Sequence, residues 1–160
     1  MSYTPSAAVL ERIDRAVAAY PERSAALLPV LRIIQEESGW VPPEAEVWAA
    51  DKLGLQPVRV REVLSFYTMF RRRPAGRTVL QVCRNLSCTL AGAEEVIAAL
   101  RRELGLGAGA DTTADGAVTL VTVECLGNCD HAPCLQIDGV DRGPVTRDSA
   151  AAIVRELRGR

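Results

Sequence analysis

All five cysteines of this chain lie beyond residue 82, and four of them form two pairs, Cys83 with Cys88 and Cys125 with Cys129. Each pair begins where a short apolar run ends. Val79, Leu80 and Val82 lead into Cys83, and the run from Val118 to Val123 leads towards Cys125. Apolar runs this short and this rich in valine read as strands. Both cysteine loops therefore leave the C-terminal end of a strand and can converge at one edge of a sheet. Whatever fold forms has to place those two strand ends together.

The residues before this region follow a different period. Ser6 is placed as an N-cap ahead of Val9, Leu10, Ile13, Val17 and Tyr20, a helical run that Pro21 stops. A second helix is expected between Ser24 and Ser38, presenting Leu27, Leu28, Leu31 and Ile34 on one face, with Gly39 as its C-cap. Pro29 requires that helix either to start later than Ser24 or to distort its first turn. Pro42 and Pro43 open a third helix carrying Val47 and Trp48, ended by Gly54, and Pro57 opens a fourth through Val60, Val63, Leu64 and Tyr67. Short helices with short loops predict a small four-helix bundle. This stretch contains neither cysteine nor histidine, so it offers no evident chemistry of its own.

Pro74 and Gly76 mark a boundary, which divides the chain into a helical domain, 1–74, and a second domain, 75–160. After the first cysteine pair, Leu90, Ala93, Val96, Ile97, Leu100 and Leu104 recur at helical spacing up to Gly105. The Gly- and Ala-rich loop from Gly105 to Gly116 is expected to be mobile. The strand Val118 to Val123 is apolar on both faces, as in a buried strand. Asp138-Gly139 inside the segment Leu135 to Val140 predicts a two-residue hairpin. Gly143-Pro144 turns the chain, and Thr146 caps a last helix carrying Ala150, Ile153, Val154 and Leu157. Strand, helix, strand, hairpin and helix build a layer around one small sheet, so the fold class is α+β, a helical bundle followed by an α/β domain.

Composition narrows the function classes. With 160 residues and 48% apolar content the chain can bury a core, as one ordinary domain or two small ones. Nineteen basic against twenty acidic residues leave a formal charge of −1, too weak a field to predict nucleic acid or an anionic membrane as partner. No uninterrupted apolar stretch approaches the roughly eighteen residues of a membrane span, so no direct membrane insertion is expected. Glu11, Arg12, Asp14 and Arg15 interrupt the place where a secretory apolar region would sit, and the expected location is cytoplasmic. In a reducing compartment, grouped cysteines point to metal or redox chemistry rather than to a disulfide framework.

Loops of four residues (R-N-L-S) and three residues (L-G-N) separate the paired cysteines. Four thiolates are what a [2Fe–2S] cluster needs, two to each iron. Loops this long hold two sulfurs apart and leave backbone N–H groups pointing inward at an anionic cluster. Asn85, Ser87 and Gly127 suit that role, and Cys88 in the first turn of the following helix gains thiolate character from the helix dipole. A structural zinc site is a competing reading of four sulfurs, although its pairs usually show a two-residue gap at least once. Buried or unrelated cysteines are a third. A thioredoxin-type dithiol lacks its Cys-x-x-Cys, and a Rieske centre needs two histidines where only His131 exists. Cys134, just past Pro133, reads as a buried thiol that is not a ligand, and His131 reads as a loop residue. The bond before Pro133 is a candidate for the cis form.

The run F-Y-T-M-F-R-R-R-P-A-G-R-T-V-L-Q-V-C-R-N-L-S-C, followed by V-E-C-L-G-N-C-D-H-A-P, resembles the small iron–sulfur subunit family of NADH:quinone oxidoreductase (respiratory complex I). The same module recurs in NAD-dependent formate dehydrogenases and NAD-linked hydrogenases. The resemblance covers nearly the whole chain. It implies a thioredoxin-like ferredoxin domain over 75–160, with Cys83, Cys88, Cys125 and Cys129 as ligands of one [2Fe–2S] cluster and no catalytic substrate site in this chain. It also implies that the helical domain binds a flavoprotein subunit carrying the FMN and NADH sites, whose FMN passes electrons to the cluster. The absence of a G-x-G-x-x-G after a strand and of a P-loop agrees with that division of labour. The Y-T-M-F and C-R-N-L-S-C segments look closer to the respiratory form than to the soluble enzymes. A zinc-stabilised interaction module remains the reading from a different class. Where the family pattern has a larger apolar residue such as Met, this chain has Cys134, a spare thiol that could replace Cys129 if that ligand were lost.

Charges near the pairs predict the sign of their influence. Arg84 beside one pair favours added negative charge, whereas Glu124 and Asp130 beside the other oppose it, which together imply a low reduction potential. The run Arg71-Arg72-Arg73, next to Phe66, Tyr67 and Phe70, reads as a solvated surface patch, with docking to an acidic partner as the second reading.

Overall fold

In the computed structural model, which describes residues 3–159, proline and glycine set the helix boundaries of the first 74 residues. Helix α1 (Ala7–Ala18) starts at Ser6, whose Oγ accepts the Val9 N–H at 3.4 Å. A 3₁₀ turn, Arg23–Ala26, precedes α2 (Leu27–Ser38), so Pro29 lies in the first turn of α2. No intrahelical partner awaits an N–H at that position, and the proline is tolerated. Gly39 ends α2 at φ 76°, and Gly54 ends α3 (Pro43–Leu53) at φ 68°. Helix α4 (Pro57–Phe66) begins on its proline.

These helices share one apolar core built on Ile13, Val30, Leu31, Ile34, Val60, Leu64 and Phe70. Fully burying such side chains contributes about 1.5–3 kcal/mol each. The inner face of α2 differs from the expected one: Leu27, Val30, Leu31 and Ile34 share one helical stripe and are buried, and Leu28, one position off it, points outward. Tyr20 and Tyr67 fall beyond the helix ends and are exposed. Helix α3 presents alanines inward, Ala45, Ala49 and Ala50, while Val47 is exposed and Trp48 meets Tyr3 edge-on with ring centroids 5.6 Å apart. After α4 the side chain of Gln35 ties down the chain, donating to the Met69 carbonyl at 3.0 Å and accepting the Arg71 N–H at 2.6 Å.

The chain divides between Pro74 and Ala75 into two compact units, and the second holds the sheet. Its strands β1 (Thr78–Cys83), β2 (Val118–Val123), β3 (Leu135–Ile137) and β4 (Val140–Arg142) lie in the order β2-β1-β3-β4. Strand β1 pairs parallel with β2, placing Cys83 opposite Val123, and antiparallel with β3. The strands β1 and β2 are parallel, so a crossover must join them. It consists of a short helix α5 (Leu86–Leu90) and a longer α6 (Ala93–Leu104), separated at Gly92 (φ 96°). Helix α7 (Ala150–Arg158) packs on α6, and Thr146 with Ser149 forms a capping box just before it. The hairpin between β3 and β4 turns on Asp138 (φ 51°) and Gly139 (φ 85°), both left-handed as a two-residue type I′ turn requires.

Three expectations are corrected by the fold. Leu90 ends α5 and is 80% exposed, because the break at Gly92 takes it off the α6 face. Strand β2 is an edge strand, and only its first half is buried. The loop expected to be mobile is fastened to that edge: Thr112 bridges Thr119, Leu120 N–H donates to the Asp111 carbonyl at 2.8 Å, and Arg101 donates to the carbonyls of Gly107 and Ala110. Both Ala132-Pro133 and Gly143-Pro144 are cis. Among the described residues, no helix is long and apolar enough to cross a membrane.

Candidate metal centre

The parallel pairing of β1 with β2 carries the two cysteine loops to the same end of the sheet. Cys83 is the last residue of β1, and Cys125 follows β2 by two residues. Cys88 lies in α5, whose start is fixed by Asn85: its side-chain oxygen accepts the Leu86 N–H at 2.8 Å. Cys129 opens a 3₁₀ turn, Cys129–His131. Cys83 and Cys88 are buried, whereas Cys125 and Cys129 are exposed. The site thus has an inner and an outer half.

The outer pair stands with its Sγ atoms 3.8 Å apart, and the Gly127 N–H donates to Cys125 Sγ at 3.3 Å. Gly127 adopts φ 81°, which turns that N–H back on the sulfur. In the inner half the Sγ atoms of Cys83, Cys88 and Cys134 all lie within 4.8 Å of one another. Leu126, from the outer loop, packs against the inner group of Cys83, Cys88, Ala93 and Cys134. At the root of the loops the Arg84 N–H donates to the Val123 carbonyl at 2.9 Å. These contacts join the two loops into one site.

Proton affinities follow from the same contacts. Burial pushes Cys83 up, but the nearby backbone N–H groups of Asn85 and Leu126 together with the Cys88 and Cys134 thiols outweigh it and leave Cys83 below the ordinary thiol range. Burial dominates at Cys88 and raises it, which overrides the expected gain from the helix dipole. Cys129 is raised by the Cys125 thiol beside it. Cys134 is pushed up to about 12, first by burial and then by its hydrogen bond with Cys88.

Of the residues expected to surround the site, Gly127 donates its N–H to Cys125 Sγ, and Asn85 fixes the start of the helix that carries Cys88. Leu126 was not foreseen, because a single loop leucine packing on the inner cysteines carries no periodic signature. The expected charge imbalance is reduced. Arg84 donates to Glu124 at 2.7 Å, so these two neutralise each other, and Asp130 lies 3.0 Å from His131. His131 is also 3.0 Å from the Asn128 side chain. Cys134 is buried as expected, yet its sulfur neighbours are Cys83 and Cys88.

The donor set suits a [2Fe–2S] cluster. It offers thiols in two pairs, with backbone N–H groups aimed at the sulfurs, the arrangement that stabilises thiolates and an anionic centre between them. No carboxylate or imidazole joins the thiol group of the inner half among the described residues.

Comparison with known proteins gives a consistent result. A family model described as thioredoxin-like [2Fe-2S] ferredoxin matches residues 13–158. The chain is 41% identical over 148 residues to an NADH-quinone oxidoreductase subunit of Rhizobium meliloti, covering 92% of this chain and 88% of that protein. It is 43% identical over 149 residues to NADH-quinone oxidoreductase subunit 2 of Thermus thermophilus, covering 91% and 82%. Its fold is similar to part of an NAD+-reducing [NiFe]-hydrogenase in the H2-reduced state, with a TM-score of 0.69 at 20% identity, covering 84% of this chain and 22% of the hydrogenase chain.

Proposed function

The chain belongs to the thioredoxin-like [2Fe-2S] ferredoxin family, and from that premise we propose that it is the one-electron transfer subunit of an NADH-oxidising module of NADH:quinone oxidoreductase. Cys83, Cys88, Cys125 and Cys129 hold the cluster, and this chain has no substrate-binding catalytic site of its own. When bound, a [2Fe–2S] cluster accepts and gives up one electron.

The observation that carries this reading is the meeting of the two loops. Leu126 of the second loop packs against Cys83 and Cys88 of the first, and the Gly127 N–H donates to Cys125 Sγ at 3.3 Å. Thiols from two strand ends are thereby offered together, with a donor in place for the negative charge of a thiolate. Burial of Cys83 and Cys88 keeps water from one side, and exposure of Cys125 and Cys129 leaves the other side at the surface, where electrons can enter and leave.

The helical unit serves as a small bundle that binds the partner, a flavoprotein subunit carrying FMN and NADH. Exposed apolar side chains of this unit support docking: Phe66 (77%) at the end of α4, and Tyr67 and Met69 just after it. Of the arginine run, Arg71 is used locally, its side chain donating to the Gly39 carbonyl at 3.3 Å, which leaves the exposed Arg72 and Arg73 for a partner. The identity to NADH-quinone oxidoreductase subunits favours the respiratory complex over a soluble formate dehydrogenase or hydrogenase. In such an assembly this chain lies on the cytoplasmic side of a membrane without entering it.

Anaerobic purification tests the proposal. A reddish-brown chain with acid-labile sulfide, bleached by dithionite and co-purifying with a flavoprotein, is expected. A colourless chain containing zinc and no sulfide would replace this reading with that of a zinc-stabilised module.

A further inference from the structure

Cys134 is the one cysteine that the four-ligand reading leaves out, and the role inferred for it rests on that reading. It lies directly before β3, 1% exposed, packed with Cys83, Cys88 and Ala93 against Leu126 and Ala132. Its Sγ stands 3.7 Å from that of Cys88. A tetrahedral ion with metal–sulfur bonds of about 2.3 Å sets its sulfur–sulfur edges at about 3.8 Å. The outer pair, Cys125 and Cys129, matches that edge at 3.8 Å. In the inner half, Cys134 stands one such edge, 3.7 Å, from the sulfur of Cys88 and within 4.8 Å of that of Cys83, so a shift of less than one edge brings it to the position beside Cys83 that Cys88 holds.

The backbone holds Cys134 firmly. Its carbonyl accepts the Cys83 N–H at 3.1 Å, in line with the β1–β3 pairing that begins one residue later. Cys88, by contrast, rides on a helix of five residues. The sheet therefore presents two sulfurs to the inner half, Cys83 and Cys134, and the short helix supplies a third. The apolar lining removes water as a competing donor.

We propose that Cys134 is a metal-competent thiol placed to take the ligand position of Cys88, so that the cluster can be held by Cys83, Cys134, Cys125 and Cys129. The exchange moves no electrons. Cys134 releases its S–H proton to solvent as its sulfur binds iron, and the departing Cys88 thiolate takes one up.

The experiment loads the full chain anaerobically with iron and sulfide and compares wild type with Cys88→Ala, Cys134→Ala and the double variant. Cys134→Ala is expected to load as wild type. Cys88→Ala is expected to retain iron and sulfide near wild-type stoichiometry, with an all-thiolate visible spectrum, and the double variant to fall to background. A folded Cys88→Ala chain without iron overturns the proposal, and so does a double variant that still loads. A second measurement needs no change at Cys88. Cd2+ added to the iron-free chain is expected to give a stronger cadmium–thiolate absorption in wild type than in Cys134→Ala, and equal bands overturn the proposal. A wild-type chain that takes up no iron overturns the ligand reading instead, and the cadmium comparison then decides on Cys134 alone.

Discussion

Replacing Gly143 with alanine is expected to strain the chain behind the second cysteine loop. An ideal Cβ there would run into the His131 carbonyl oxygen and stand 3.0 Å from His131 Cβ and 3.2 Å from Cys134 Cβ. Real Cβ atoms essentially never come so close to a backbone oxygen, so the carbonyl has to retreat. Its surroundings resist. The His131 N–H donates to the Asn128 carbonyl at 3.2 Å, and the Val145 N–H donates to the Pro133 carbonyl at 2.8 Å. Overpacking costs about 1–3 kcal/mol, and a clash with backbone belongs near the upper figure. At about 2–4 °C per kcal/mol for a chain of this size, the melting temperature falls by about 6–12 °C. Gly107→Ala is the control, since no heavy atom lies within 4 Å of its added Cβ. It should stay within about 0.5 kcal/mol of wild type. Thermal melts followed by circular dichroism read both. If Gly143→Ala melted within about 2 °C of wild type, the close approach of these two segments would not be what holds them.

Leu80, fully buried in the central strand, should cost about 2–5 kcal/mol when cut to alanine; urea unfolding checks this, and a loss below about 1 kcal/mol would contradict the core assignment. In the iron-free chain, iodoacetamide should label the exposed Cys125 and Cys129 first and Cys134 last, because Cys134 is buried and its thiol is pushed up to about 12. Mass spectrometry that found Cys134 among the first labelled would refute the site geometry. Hydrogen bonds from Arg12 to Glu36 and from Ser6 to Glu37 hold both carboxyls below the usual carboxylate range. A carboxylate depressed in the folded state contributes stability above its unfolded pKa and loses it as pH falls through the folded value. The melting temperature should therefore drop more steeply between about pH 5 and pH 3 in wild type than in Glu36→Gln/Glu37→Gln, by a small margin because both groups are exposed. Parallel curves would count against these contacts. Glu124→Gln leaves Arg84 uncompensated beside Cys83 and should raise the midpoint of the loaded chain. An exposed pair contributes about 0.2–1 kcal/mol, which corresponds to about 10–40 mV for one electron; a lowered midpoint in redox titration would refute the sign.

Several features are legible before any folding because a single residue type enforces them locally. Ser6 caps α1, Gly39 and Gly54 end helices at positive φ, Pro43 and Pro57 begin them, and Asp138-Gly139 makes the hairpin. Each of these acts through its own backbone or its nearest neighbours. Misplaced residues share a different cause. Leu28, Val47 and Leu90 are apolar and sit at helical spacing, but whether such a residue points inward depends on where its helix starts and what it meets. The alanine face of α3 carries too little apolar contrast to be recognised, although it is the face that packs.

The candidate centre divides in the same way. The number, type and spacing of the thiols are properties of the chain, and they alone point to soft-metal or redox chemistry. Which sulfurs are buried, and what packs against them, is decided only when β1 and β2 lie parallel, because Cys83 and Leu126 are 43 positions apart. The antiparallel pairing of β3 with β1 sets the Cys134 sulfur against that of Cys88, 46 positions earlier in the chain. Local spacing cannot encode a distance that long-range strand pairing creates.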